Sequence, residues 1–453
     1  MPSAPLGILK FTLFVKYFTF ILFLSIISFS GARTQDIPAR MGGGNFTNGI
    51  TDTKTLNQFK VLRAAGLKMI RMNVYPDIYY SNGQPSPAKL DKQMLLAYQQ
   101  DAQPMILFEY YGSYLQSQNL PIGDYRKWFN IGKAFAERFK PNGTWAKENN
   151  IKNFGITIYT AINEPDGPKP GAPDRIPDND YAAALEGLAD GVHAVDTNLK
   201  VLPGGFLSPN RDKNYTFSGL GLALAPLLNN GKLDGLDLHT YYDVQYAPLH
   251  QTYERSAQRD FERVKQALKI TRDINFYATE FNFKKRLVTE EEAAKGLLTG
   301  IWDNLGIVKT DGKTPATQFA FPWNIFHATT TGKEYGLTVE QEPWVPTARG
   351  KVIKMVAGLT AGMQFTSLDP KTEGEFILEG GGNKLYVWQN RQNWTNHPGA
   401  TYTVSNIKPS HKKLEVYGWD GLRQTISLKK EKSYTLHNLP EEETLLFLLS
   451  SNP

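Results

Sequence analysis

The chain has 453 residues, 41% hydrophobic and 12% aromatic, with a formal charge of +6 at neutral pH and no cysteine. That length supports a large core and a second, smaller one, so two domains are expected. The charge is too mild to point to nucleic acid, and without cysteine neither a disulfide framework nor a thiolate metal site can form.

Lys10 and Lys16 precede an uncharged, mostly apolar run from Tyr17 to Phe29, followed by Ser30-Gly31-Ala32. These are the charged, apolar and small-residue parts of a secretory signal over residues 1–32, with cleavage expected after Ala32. A start at Phe11 that tolerates Lys16 nearly reaches the roughly 20 residues of a membrane span, so an uncleaved anchor, and with it a membrane association, stays the alternative. An exported chain without cysteine fits a bacterial exporter, which places it outside the cell, in the periplasm or at the cell surface.

Over residues 33–361 short β-branched or aromatic runs alternate with longer segments of helical period, the pattern of repeated βα units on a parallel sheet. Eight strands are predicted, at Ala39–Gly43, Leu67–Val74, Pro104–Tyr110, Phe154–Ala161, Leu199–Gly204, Gly235–Tyr241, Asn275–Phe281 and Gln318–Trp323. Helices are predicted between them, among others at Thr53–Ala65, Lys89–Gln100, Tyr125–Phe139, Tyr181–Val195, Tyr253–Ile270, Glu290–Asn304 and Pro346–Ala361. Eight strands, nearly all followed by a helix, match a (β/α)8 barrel of the α/β class. The competing doubly wound sheet would carry a glycine-rich phosphate turn, and neither G-x-G-x-x-G nor a P-loop occurs. Residues 362–453 change to strand-like alternation, at Glu375–Leu378, Lys384–Gln389, Thr401–Val404, Lys413–Tyr417, Gln424–Leu428 and Thr444–Leu449. Gly380-Gly381-Gly382 and Asp420-Gly421 mark turns, so a small C-terminal antiparallel β-sandwich is expected.

Catalytic groups of such a barrel sit at the C-terminal ends of its strands. The fourth predicted strand ends Thr160-Ala161-Ile162-Asn163-Glu164-Pro165 and the seventh ends Ala278-Thr279-Glu280-Phe281-Asn282. Two strand-end carboxyl groups facing one cavity are what glycosidic hydrolysis needs, one to protonate the leaving oxygen and one to attack carbon or activate water. Asn163-Glu164-Pro165 alone also reads as a helix start, with Asn163 as cap and Pro165 in the first turn. Its coupling to Glu280 on another strand favours catalysis, because two unpaired buried carboxylates are costly without a task. Metal catalysis lacks a pattern: the seven histidines are scattered and H-E-x-x-H is absent. G-x-S-x-G is absent too, and no cofactor is required.

These two segments resemble the signatures of clan A retaining glycoside hydrolases. The resemblance covers about residues 37–361. It implies Glu164 as acid/base and Glu280 as nucleophile, with Arg71 in Ile70-Arg71-Met72-Asn73 bracing the nucleophile and Asn163 bonding the sugar's 2-hydroxyl. His239 and Tyr241 match a strand-six pair near the two carboxylates, and Trp323 matches a strand-eight platform for the sugar ring. Thr279-Glu280-Phe281-Asn282 and the following sandwich look most like family 39, which includes β-xylosidases and exopolysaccharide glycosidases, with cellulase-like family 5 as the near alternative. Glu109, at the end of the third strand, departs from the histidine or asparagine of many relatives. The resemblance implies a carbohydrate partner, and hydrolysis, glycosyl transfer and catalytically silent glycan binding are the readings it leaves open. Lys284-Lys285-Arg286 would favour an anionic sugar if it lined the cleft, and is otherwise a solvated loop. Trp302, Trp344, Trp388 and Trp394 are read as core or loop residues. Neither exo or endo action nor the oligomeric state follows from the sequence.

Overall fold

The computed structural model describes residues 36–46, 52–74, 80–81, 84–85, 88–109, 122–167, 175–207, 217–242, 256–283, 288–326, 335–341, 343–369, 375–389, 400–440 and 443–451. The predicted signal segment, Lys284-Lys285-Arg286, Trp394, and residues 168–174 and 208–216 that follow the fourth and fifth strands lie outside these residues. Among the described residues no helix is long and apolar enough to cross a membrane.

Among the described residues eight strand positions alternate with eight helices of 12 residues or more, and a short helix, Thr144–Glu148, precedes the fourth strand. The strands are β1 Gly42–Phe46, β2 Met69–Val74, β3 Gln103–Phe108, β4 Ile158–Ala161, β5 Lys200–Pro203, β6 in two pieces at Gly235–Asp237 and Thr240–Tyr242, β7 Asn275–Phe283 and β8 Thr317–Pro322. The helices are α1 Asp52–Ala64, α2 Ala88–Gln99, α3 Tyr125–Phe139, α4 Asp178–His193, α5 Phe217–Asn229, α6 Ser256–Ala267, α7 Glu290–Leu305 and α8 Ala348–Leu359. Parallel pairing runs β1-β2-β3-β4-β5 in one arc and β6-β7-β8 in the other. Single parallel bridges, Phe206 to Leu238 and Met41 to Ala320, join the arcs at both seams and close the (β/α)8 barrel.

The elements form for local reasons that the sequence carries. Helix α3 buries Trp128, Ile131, Phe135 and Phe139 at three- and four-residue spacing, and Asp124 caps it by accepting from the Lys127 N–H at 3.0 Å. Helix α7 opens on a capping box of Thr289 and Glu292. Helix α5 was absent from the sequence expectations, since Gly219, Gly221 and an internal Pro226 obscure its apolar run. Strand β6 departs from the continuous run expected at Gly235–Tyr241: it breaks at Leu238-His239, where the His239 N–H turns to the Phe206 carbonyl at 2.9 Å.

The C-terminal part begins at β9 Gln364–Asp369 and continues through β10 Glu375–Gly380, β11 Asn383–Gln389, β12 Ala400–Val404, β13 Lys413–Gly418, β14 Gly421–Ser427, β15 Tyr434–Leu439 and β16 Thr444–Ser450. Strands β9 and β15 escaped the sequence reading. Six strands form one antiparallel sheet in the order β9-β10-β11-β16-β13-β14, and β12 pairs with β15 to make the second layer of a β-sandwich. The β10–β11 hairpin turns on Gly381 and Gly382, both at positive φ (58° and 81°), which a two-residue primed turn requires.

The larger sheet is buried on both faces. Leu445, Phe447 and Leu449 of β16 enter the sandwich core, while Leu446 and Leu448 join the core that continues into the barrel. Between barrel and sheet lies α7, whose residues 296–305 are all buried; the Gln389 side-chain amide donates to the Thr299 carbonyl at 3.0 Å and the Thr299 and Thr444 hydroxyls meet at 2.8 Å. Phe376 is fully buried at this junction, its ring against Gly306. Phe376→Ala is expected to cost about 3–5 kcal/mol and to lower the urea midpoint for loss of barrel structure. A barrel midpoint that does not move would mean that the sheet contributes nothing to barrel stability.

Candidate active site

Strand ends β2, β3, β4, β6, β7 and β8 bring charged and aromatic groups together at one mouth of the barrel. Below them Met69, Met105, Leu202, Tyr277, Phe319 and Phe321 pack as a cluster separate from the main core. On β2, Met69 shares its face with Arg71 and Asn73, so the same alternation that fills the barrel lifts the two polar side chains to its rim.

Glu280 is the centre. It is 3% exposed and accepts from Arg71 Nη2 at 2.6 Å on Oε1 and from the Tyr241 hydroxyl at 2.6 Å on Oε2. His239 Nδ1 lies 3.6 Å from the same Oε2. Burial, the largest influence on this carboxyl, would raise its pKa; the His239 imidazolium and the Arg71 guanidinium, with the Tyr241 and Arg71 hydrogen bonds, outweigh it and hold Glu280 below the usual carboxylate range.

Glu164 is different. Its side chain is 28% exposed and one oxygen, Oε1, accepts from His239 Nδ1 at 2.8 Å. His239 is fully buried, and burial would lower its pKa; Glu280 and then Glu164 more than reverse this and push it up to about 9, so the ring is protonated at neutral pH. Its other nitrogen, Nε2, donates to the Thr279 Oγ1 at 3.0 Å, and that hydroxyl donates to the buried Asp237 at 2.7 Å. Oxygen and nitrogen atoms of Glu164, His239 and Glu280 lie within 4.8 Å of one another, close enough to share a cation. The positive charge of Arg71 and protonated His239 already occupies that role.

Backbone geometry aims these groups. Ile162 and Glu164 both take positive φ, 68° and 45°, and for the β-branched Ile162 this is a genuine strain. The β5 end carries Gly204-Gly205, and a Cβ on Gly205 would fall 1.9 Å from His239 Nε2, so the imidazole occupies the space of the missing side chain. At the far end of β7, the fully buried Arg349 of α8 donates to the Phe283 carbonyl at 2.9 Å and to Glu290 at 3.0 Å.

All seven residues singled out from the sequence are at this mouth or beside it. Asn163 is half-buried, and its Oδ1 is buried with no hydrogen-bond partner among the described residues. Trp323 is also half-buried, and its ring lies 5.6 Å from the Arg71 guanidinium carbon; the peptide bond that follows it is cis. Trp302 is core, as read, and stands edge-on to Phe365 on β9, while Trp388 stacks on Tyr402 inside the sandwich. Trp344 is half-buried against the main core.

Sequence reasoning did not assign Asp237, Thr279, Tyr335 or Gly205 to the site. Asp237 lies in the sixth predicted strand two residues before His239, and Thr279 stands in the quoted segment just before Glu280, so polar residues beside the strand-end pair were the available signal. Tyr335, edge-on to Tyr241 at 5.2 Å, and Gly205 have no local signal at all, because only their partners across the barrel give them meaning.

Glu109 joins the cluster as a third carboxyl. It is buried, and Asn73 Nδ2 donates to it at 2.5 Å. Burial pushes its pKa up to about 7; Arg71 opposes this, and Glu280 adds to it. A carboxyl that binds its proton more tightly in the folded state gives stability that is full below the unfolded pKa near 4.5 and is lost as pH rises through about 7. Glu109→Gln copies the protonated form. Its stability relative to the wild type should therefore grow between pH 4.5 and 7.5, by up to ~3 kcal/mol, in urea denaturation at the two pH values. A difference that stays constant with pH would show that this carboxyl titrates normally.

No family model matches the sequence, and no curated protein matches it. Solved structures do match along nearly the whole chain. A glucosidase from Croceicoccus marinus superposes with a TM-score of 0.59 at 10% identity, covering 92% of this chain and 96% of that one. A family 30 endoxylanase from Clostridium papyrosolvens gives 0.57 at 14% identity over 92% and 98%. A family 39 glycoside hydrolase from the gut symbiont Bacteroides cellulosilyticus gives 0.53 at 16% identity over 91% and 81%. At such identities the likeness is one of fold, and it is spread over several glycoside hydrolase families without singling out family 39: this chain has the barrel-and-sandwich architecture of those enzymes.

Proposed function

We propose that the chain is an exported, retaining β-glycoside hydrolase of clan A, acting on a plant or microbial polysaccharide or its oligosaccharides. The observation that carries this reading is the pair Glu164 and Glu280, whose nearest oxygens come within 4.8 Å across the barrel mouth while their surroundings differ sharply. Retaining enzymes place their carboxyl groups about 5–5.5 Å apart, and inverting ones leave roughly 6.5–9.5 Å for a water. The glycosidases that share the fold support the reading, and the N-terminal segment supports export.

In this mechanism Glu280, held ionised by Arg71, Tyr241 and His239, attacks the anomeric carbon while the bond to the leaving oxygen breaks and Glu164 supplies its proton. The geometry gives that proton a source. Before attack it rests on His239, chiefly because Glu280 is negative. As Glu280 becomes an ester its charge disappears, the imidazole loses its main reason to stay charged, and the proton moves along the 2.8 Å bond to Glu164 and on to the leaving oxygen. In the second step Glu164 takes a proton from water, the hydroxide displaces Glu280 from carbon, and the returning carboxylate charge restores the imidazolium. Asn163 presents its amide to the 2-hydroxyl, and Trp323 offers a ring face to the sugar.

Turnover of aryl β-glycosides by the wild type, Glu280→Ala and Glu164→Ala tests the assignment. Glu280→Ala should be inactive and yield an inverted glycosyl azide when azide is added. Glu164→Ala should lose roughly 10²–10⁴-fold and yield the retained azide. Unchanged turnover in either variant would sink the two-glutamate mechanism.

A further inference from the structure

The C-terminal sandwich holds a cavity of about 760 Å³ between the loop before β13 and the turn after β14, a size within the roughly 300–1,000 Å³ of ligand pockets. Its lining includes Lys408, Lys412, Lys429, Lys430 and Lys432, against a single acid, Glu431. The floor is the buried Ile407, Leu428 and His411.

The walls are fixed by backbone. Ile407 N–H bonds the Lys432 carbonyl at 3.0 Å, Leu428 N–H the Lys412 carbonyl at 2.8 Å, and Lys412 N–H the Ser450 carbonyl at 2.8 Å. Glu431 forms no close ion pair with a lysine ammonium: its Oε2 accepts from the backbone N–H groups of Lys429 at 2.6 Å and Lys430 at 3.0 Å, which holds the turn, and its one charge offsets only part of the five lysines of the rim. Elsewhere lysines find acids: Lys232 lies 2.7 Å from Glu186 and 2.9 Å from Asp190. Among the described residues, the ammonium groups of Lys412, Lys429, Lys430 and Lys432 have no carboxylate within 4.0 Å, and that of Lys408 only reaches Glu379 at 3.9 Å. Like charges gathered on a concave rim repel one another, and an anionic occupant would relieve that.

His411 supplies a directional group. Its Nδ1 accepts from the Lys408 N–H at 3.1 Å. Burial, with Lys408 and Lys384, keeps its pKa below the ordinary histidine value, so the ring is neutral near pH 7 and carries its proton on Nε2. Among the described residues no tryptophan, tyrosine or phenylalanine lines the cavity. That removes the stacking platform by which proteins hold single-stranded nucleic acid or the flat faces of neutral sugars, and leaves charge as the means of recognition.

We propose that this cavity binds an acidic polysaccharide, a chain of uronate residues whose carboxylates meet the lysine rim. The choice of a carbohydrate rests on the glycosidase reading above; the cavity and its charge do not. Electrophoresis of the full chain through gels containing alginate, a polyuronate, or the same polymer with its carboxyl groups reduced tests it, beside a Lys429→Gln/Lys430→Gln/Lys432→Gln variant. Alginate should retard the wild type, the reduced polymer should not, and the variant's apparent Kd should rise about fivefold or more at low ionic strength, a gap that closes as salt is added. Equal retardation of wild type and variant, none by alginate, or stronger retardation by single-stranded DNA or capture by anionic lipid vesicles would overturn the proposal. Turnover of an aryl β-glycoside by the same preparations separates the two readings. The lysine variant should keep it unchanged, whereas a wild type that binds alginate but turns over no glycoside contradicts only the catalytic assignment.

Discussion

A buried anion governs the mouth of the barrel. Glu280 can stay ionised at 3% exposure only because Arg71 from β2 and His239 and Tyr241 from β6 surround it with positive charge and a hydroxyl donor. Removing one partner of such a pair typically costs about 3–5 kcal/mol, since the other charge is left buried alone. The ring must therefore hold β2, β6 and β7 in one relative position. Glu109 lacks such a set of donors: burial outweighs the Arg71 charge, and with Glu280 ionised close by its carboxyl keeps its proton up to about pH 7.

Strain and missing side chains complete the arrangement. The end of β4 turns through positive φ at Ile162 and Glu164, a cost of order 1–3 kcal/mol each, and the turn is held by the Ile162 N–H to the Phe108 carbonyl at 2.8 Å. Gly204 sits against the Ile162 carbonyl, and Gly205 opens the space for the His239 ring. The break in β6 at Leu238-His239, where one bridge replaces a full ladder, serves the same end. The two seams of the barrel are its least regular places, and one of them holds the histidine that links both glutamates.

The C-terminal sheet is part of this construction. One face belongs to its own sandwich and the other to the core shared with the barrel, which is why β16 reads as a nearly unbroken apolar run, Thr-Leu-Leu-Phe-Leu-Leu-Ser, and why α7 is buried on all sides over residues 296–305. The opposite end of the sandwich carries the lysine-lined cavity, so one small module braces the barrel with one surface and presents charge with another.

What the sequence by itself determined is whatever depends on local periodicity and on residue type at strand ends. The eight barrel strands, the boundaries of α3, the turn at Gly381-Gly382, and the placement of Glu164 and Glu280 at one mouth follow from alternation, helical spacing and the ring count, while the resemblance to clan A enzymes is what pointed to Arg71, His239 and Tyr241. Helix α5 and strands β9 and β15 did not, because their glycines, proline and polar residues blur the period while tertiary contacts supply their stability. Tertiary structure alone decided how deeply each glutamate is buried, since strand-end positions look alike in sequence and differ only in what crosses the barrel to meet them. It alone gave Glu109 its raised pKa, gave Gly205 its purpose, and gathered lysines twenty residues apart around one cavity: burial, charge proximity and close approach are properties of distance in space, which periodicity along the chain does not encode.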